Sequence, residues 1–134
     1  MNIVEVTKLV TKSQTQDEIS CEDLVKGVYM LNDLEFETFC TLIDLGKAKV
    51  NDLQNVIEKD RTMISRALKS LFEKELVFRK SETENMERGY YHIYWAKSLD
   101  NLAEEMNQKI ESWYKLAKME LPRIKERFNE RHSK

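Results

Sequence analysis

The stretch Val50 to Lys80, VNDLQNVIEKDRTMISRALKSLFEKELVFRK, decides how this chain is read. From Val50, the apolar residues Leu53, Val56 and Ile57 recur at helical spacing, while Asn51, Asp52, Asn55 and Glu58 fall on the opposite side. The spacing predicts a short helix that packs inward. Lys59 and Asp60 interrupt it, and Asp60 suits an N-cap because its carboxylate accepts from the exposed N–H groups that follow. A second helix is predicted from Arg61. Its core side would carry Ile64, Ala67, Leu68, Leu71 and Phe72, leaving Arg61, Thr62, Ser65, Arg66 and Lys69 outward. Helix, tight turn, helix and the start of a β-hairpin follow the order of a DNA-reading helix-turn-helix. Short hydroxyls near a helix N-terminus allow close approach to phosphate or base edges, and Arg can make a bidentate contact to guanine. Those five outward residues are the candidate DNA-facing set.

Charge is distributed in a way that the net value of −2 conceals. Met1 to Gly46 holds three Lys against nine acids, a net of −6. Arg61 to Lys80 holds six Lys and Arg against Glu73 and Glu75, a net of +4, so the positive field is local to the proposed reader. Lys69, Arg79 and Lys80 are expected to supply salt-sensitive phosphate contacts, and Arg61, Thr62, Ser65 and Arg66 sequence preference.

The segment from Leu53 to Arg79 resembles the winged helix-turn-helix of the MarR and TrmB-like transcription regulators, the likeness extending from Leu34 to Trp95. Arg61 to Leu68 falls where their recognition helix would. The resemblance implies a mainly α fold with a small β-hairpin wing and a long C-terminal dimerisation helix. It also leaves room for a small-molecule effector, with Tyr29, Phe36, Phe39, Trp113 and Tyr114 as a lining; the competing reading places these aromatics in core and interface. Such proteins usually carry Gly after the recognition helix, where this chain has Glu75. A left-handed backbone there would cost Glu75 about 1 kcal/mol relative to Gly, unless the turn is built differently.

Upstream, Met1 to Val10 fits a strand or, better, a helix, and Thr11 to Ser20 is polar and aperiodic. Ser20 with Asp23, and Asn32 with Glu35, mark two helix starts, and Gly46 a helix end. Lys47-Ala48-Lys49 occupies the place of a short strand by resemblance. Downstream, Leu76 to Ser81 and Tyr90 to Trp95 predict the hairpin, bridged by an acidic tip with Glu82, Glu84 and Glu87. Arg88, beside Gly89, either enters the minor groove as a wing arginine or neutralises Glu84 or Glu87 in solvent.

Ser98 caps the last helix. Leu102, Met106, Ile110, Trp113, Ala117, Leu121, Ile124 and Phe128 form a stripe longer than a small winged core can cover, so pairing with the same helix of a second subunit is expected. Pro122 should kink or divide this helix. The expected division is an N-terminal arm over 1–20, a winged helix-turn-helix domain over 21–97, and a dimerisation helix over 98–134.

Composition narrows the function classes. Three Gly and one Pro in 134 residues favour long helices. Cys21 and Cys40 are too few for a disulfide framework or zinc site, and His92 and His132 lack partners at metal-ligand spacing, so no cofactor or metal is expected. There is no Gly-rich phosphate loop and no nucleophile–base arrangement, which argues against an enzyme. Without a membrane-length apolar run or signal-peptide pattern, a cytoplasmic location is expected. The expected partners are double-stranded DNA and a second copy of the chain. The alternative is a winged-helix protein-interaction module of a transcription-related assembly, favoured by the acidic N-terminal half and wing tip.

Overall fold

The computed structural model describes residues 19–83 and 89–132. The expectations for Met1 to Val10, most of the polar arm and Arg88 lie outside the described residues. Helix α1 spans Cys21–Tyr29, α2 Asp33–Leu45, α3 Val50–Ile57 and α4 Arg61–Glu73. Strands β1 (Val77–Glu82) and β2 (Tyr91–Ala96) follow, then α5 (Leu99–Glu120), a 3₁₀ turn over Leu121–Arg123, and α6 (Ile124–His132).

Local chemistry sets these boundaries. Ser20 Oγ accepts from Asp23 N at 3.1 Å, and Asn32 and Glu35 form a reciprocal capping box with two 2.8 Å bonds. Glu35 is buried, yet its carboxylate is satisfied by the Asn32 N–H. Asp60 Oδ1 accepts from Met63 N at 2.9 Å, fixing the start of α4. Gly46, at φ +82°, ends α2 with its N–H on Leu42 O. Pro122 sits inside the 3₁₀ turn that divides α5 from α6, as its missing N–H requires.

The α4 terminus is built on a left-handed residue. Glu75 has φ +61°, Leu76 N donates to Leu71 O and Glu75 N to Phe72 O, both at 3.0 Å. This is the Schellman arrangement, and Leu71 and Leu76, whose side chains usually touch in that motif, are both wholly buried. The turn expected of a glycine is therefore made by glutamate.

One core joins these elements. Phe39 and Leu42 of α2, Leu53 and Ile57 of α3, and Ile64, Leu68 and Leu71 of α4 meet Leu76, Val77 and Tyr94 at the hairpin base. Strands β1 and β2 pair antiparallel from Val77↔Ala96 to Glu82↔Tyr91, and Ala48 adds an isolated bridge to Tyr94. The Lys47–Lys49 segment thus takes the strand position expected of it. Beyond Val77 the rest of β1 is largely uncovered, so the hairpin stands out from the core.

Two residues expected inward are not. Val56 is 56% exposed, because at about 100° per residue it lies roughly 100° from the centre of the Val50, Leu53 and Ile57 stripe. Phe72 is 38% exposed for the same reason, lying at the margin of the Ile64, Leu68 and Leu71 face.

The C-terminal helix also differs from expectation along its first half. Leu102 and Met106 belong to this chain's own core, near α1, and Ile110 packs partly against them. A second subunit therefore has little of Leu102 and Met106 left to cover. Trp113 and Ala117 are half-buried, whereas Leu121, Ile124 and Phe128 are exposed.

A polar cluster fastens α5 to the domain. Tyr29 OH donates to Glu105 Oε1 at 2.8 Å, and Lys97 Nζ pairs with Glu105 Oε2. Burial pushes the Glu105 carboxyl up, but the bonds from Lys97 and Tyr29 outweigh it and hold the group below its ordinary value. Burial and the neighbouring Glu105 charge drive the Tyr29 hydroxyl the other way, so it stays protonated well above its usual range.

Candidate nucleic-acid interface

Helix α4 is gripped from one side only. Ile64, Leu68 and Leu71 are wholly buried among α2, α3 and the hairpin base, which leaves Arg61, Thr62, Ser65, Arg66 and Lys69 all exposed. The outward set expected from the sequence is thus brought together on one rigid helix. At about 100° per residue, Thr62, Arg66 and Lys69 lie within roughly 30° of the outward direction. Arg61 is displaced by about 110°, toward the flank that also carries Phe72.

That flank is occupied. Arg61 Nη1 donates to Asn51 Oδ1 at 2.9 Å, tying the start of α4 to the start of α3. Lys49, Val50, Asn51, Arg61 and Ser65 line one side of an open groove of about 260 Å³ whose other side is Tyr90, Tyr91, His92 and Tyr94 of the wing. Lys49 Nζ lies 4.4 Å from the centre of the Tyr91 ring, a cation–π contact, and Lys49 N donates to Asp52 Oδ2 at 2.9 Å. His92 meets Tyr90 and Tyr94 edge-on, at 5.7 and 6.0 Å between ring centres, and its Nδ1 lies 3.3 Å from Ser81 Oγ. The shared strand face of these three rings was legible from their alternation.

The remaining cations divide. Arg79 stacks its guanidinium over the exposed Phe72 ring at 4.4 Å, which holds it beside the end of α4. Lys80 pairs with Glu82 at 3.0 Å on the exposed strand, so part of its charge is already compensated. Lys74 turns away and donates to Met30 O at 2.9 Å, closing the end of α1. Arg88 lies outside the described residues. Lys49, Asn51, Tyr90 and Tyr91 are residues that the sequence reading did not single out. Lys49 precedes α3 and Tyr91 sits seven residues before the α5 cap, and the bridge of Ala48 to Tyr94 brings them together.

The aromatics that could have bordered an effector site do not gather. Tyr29 and Phe39 are core, Tyr114 is exposed, and none of the five lines the apolar groove of about 360 Å³ between α1 and α5. Leu24, Val25, Leu102, Met106 and Ile110 line it instead, with Cys21 at its edge. Cys40 is held as a thiol, since burial and the nearby Asp44 and Glu22 raise its pKa.

A helix pair with an outward cationic face, followed by a two-stranded wing and a long terminal helix, defines a winged helix-turn-helix protein. Residues 26–100 match the family of the sugar-specific transcriptional regulator TrmB. The chain belongs to that family. An uncharacterized protein of Methanocaldococcus jannaschii is 29% identical over 109 residues, covering 81% of this chain and 89% of that one. Among solved structures, a possible transcriptional regulator from Methanosarcina mazei Go1 superposes with a TM-score of 0.68 at 21% identity, over 75% of this chain and 85% of that one. A mutant MepR of S. aureus bound to an oligodeoxyribonucleotide superposes with a TM-score of 0.52 at 12% identity, over 99% and 97%. The winged-helix fold is common to all three chains whose coordinates are compared, and among the described residues no helix is long and apolar enough to cross a membrane.

Proposed function

We propose that this protein is a sequence-specific, homodimeric DNA-binding transcription regulator whose α4 enters the major groove while the hairpin rests on backbone or minor groove. The observation that carries the reading is the outward face of α4, where Thr62, Arg66 and Lys69 project from a helix fixed behind by wholly buried Ile64, Leu68 and Leu71. A rigid base is what direct readout needs, because a bidentate Arg discriminates only if its root is held still. Support for DNA as the ligand comes from family membership and from the oligodeoxyribonucleotide bound to the structurally similar MepR. In this reading residues 1–20 are an arm, 21–97 the reading domain and 98–134 the dimerisation helix. Leu121, Ile124 and Phe128 supply its uncovered apolar face. Two α4 helices related by a two-fold axis would then read half-sites about 34 Å apart. Any effector would act by changing that separation.

The test is selection from a random-sequence duplex pool across a salt series, with mass measured by light scattering. A dimeric mass and enrichment of a two-fold-related motif are expected, and Arg66→Ala should weaken binding and relax preference at one position by about 1–3 kcal/mol. No duplex binding at low salt would transfer the function to the protein-interaction alternative.

A further inference from the structure

Arg61 was grouped by sequence with the base-reading residues, yet the structure sets it apart from them. Its root lies on the flank of α4, and Asn51 Oδ1 holds one guanidinium N–H at 2.9 Å, drawing the head across to α3. There it shares a groove with Lys49, Ser65, Tyr91 and His92. Among the described residues no carboxylate forms an ion pair with Arg61 or Lys49. The wing tyrosines form its opposite wall, with Lys49 over the Tyr91 ring. The groove, at about 260 Å³ and open, is below the range of roughly 300–1,000 Å³ in which small-molecule ligands are enclosed.

We infer that this groove is a clamp for one phosphodiester of the DNA strand that passes between α4 and the wing, with Arg61 and Lys49 on the phosphate oxygens and Asn51 as the residue that positions Arg61. The inference rests on the DNA-binding reading and divides its labour. Arg61 contributes sequence-independent, salt-sensitive affinity and fixes the register of the helix, while Thr62, Arg66 and Lys69 face the bases. The chemistry favours this assignment. A guanidinium has five N–H donors in a planar fork, so Asn51 can orient it and still leave a pair for a phosphate. Ser65 adds a hydroxyl at the same mouth, and the exposed Tyr90 ring offers apolar surface to a deoxyribose. A base edge, by contrast, lies deeper than a side chain tied back to α3 is placed to follow.

The experiment compares wild type, Arg61→Ala, Arg61→Lys and Lys49→Ala in the full chain. Each is titrated with the duplex enriched by the wild type and with a scrambled duplex of equal length, across a salt series. Arg61 is exposed and Lys49 is half-buried, and neither belongs to the core, so the melting temperatures should stay close to that of the wild type. The expected result for each Ala variant is a weakening by the same factor on both duplexes and a salt slope reduced by about 0.9, the value for one phosphate contact. The motif selected from a random pool should be unchanged. Arg61→Lys should regain most of the slope, since a phosphate accepts a point charge. If Arg61→Ala selects a different motif, or loses affinity only for the enriched duplex, Arg61 reads bases and the clamp is wrong. Unchanged affinity and slope would likewise overturn it. Failure of the wild type to bind either duplex would remove the regulator reading and the clamp together.

Discussion

Glu75 offers the cleanest test of how α4 is ended. Its φ of +61° places an L-residue in the left-handed region, at the C′ position of a Schellman turn whose two backbone bonds, Leu76 N to Leu71 O and Glu75 N to Phe72 O, are both 3.0 Å. A side chain with a Cβ costs roughly 1–2 kcal/mol there, which glycine avoids. Glycine also makes the unfolded chain looser, which offsets about 0.4–1 kcal/mol of that gain. Glu75→Gly should therefore stabilise the protein by about 1 kcal/mol, or about 3–5 °C in melting temperature for a chain of this size. The side chain of Glu75 is exposed, so no packing loss enters the sum. Two comparison variants isolate the cause. Glu75→Ala keeps the Cβ and should stay near wild type, and Lys69→Gly, inside α4 and exposed, should lose about 1 kcal/mol. Urea denaturation followed by circular dichroism measures all three. A Glu75→Gly protein no more stable than Glu75→Ala would show that the backbone strain assigned to this turn is absent.

The Tyr29–Glu105–Lys97 cluster and the terminal helix yield two further outcomes. Because the folded Glu105 carboxyl lies below its ordinary value of 4.5, its contribution is complete above that pH and is lost as pH falls through the folded value; Glu105→Gln should flatten the acid limb of a stability–pH profile, and an unchanged limb would count against the cluster. At neutral pH, replacing Glu105 by Ala strands the Lys97 and Tyr29 donors and should cost about 1–3 kcal/mol in denaturant unfolding. Ile124→Glu combined with Phe128→Glu should convert a dimeric mass to a monomeric one in sedimentation while leaving the melting curve of the reading domain in place, since both residues are exposed and outside the core. A dimer that survives both substitutions would relocate the interface.

Much of this fold could be read in the chain because its signals are local. Asp60, Asn32, Ser20 and Ser98 each accept from a backbone N–H three residues on, a contact that sequence spacing dictates without knowledge of tertiary structure. The hairpin came one residue out at each end, within the ambiguity of strand limits. What failed were margins and long-range partners. Val56 and Phe72 are apolar at helical spacing, but a stripe covers only part of a helix and its edge is set by neighbours, here by how α3 and α4 lean on α2. Leu102 and Met106 repeat identically with Ile124 and Phe128 in sequence; only the placement of α1 tells which half meets this chain's own core. The groove around Arg61 was invisible for a similar reason, since Lys49 and Tyr91 are brought together by the pairing of Ala48 with Tyr94.

That same pairing bears on how a change at the C-terminal helix could reach the reader. Helix α5 packs on α1 and, through Lys97 and Glu105, is joined to the end of β2. Lys97 N also donates to Leu76 O at 2.9 Å, at the turn that ends α4. A rotation of α5 would therefore act directly on the hairpin base and on α1. Both ends of the proposed clamp lie on that route, because Tyr91 is in β2 and Lys49 adjoins the Ala48 bridge. The wing and its groove are thus mechanically tied to α5. In the proposed dimer, a shift of α5 would alter phosphate registration first and motif preference only through it. Affinity at constant specificity is the quantity such a regulator would vary.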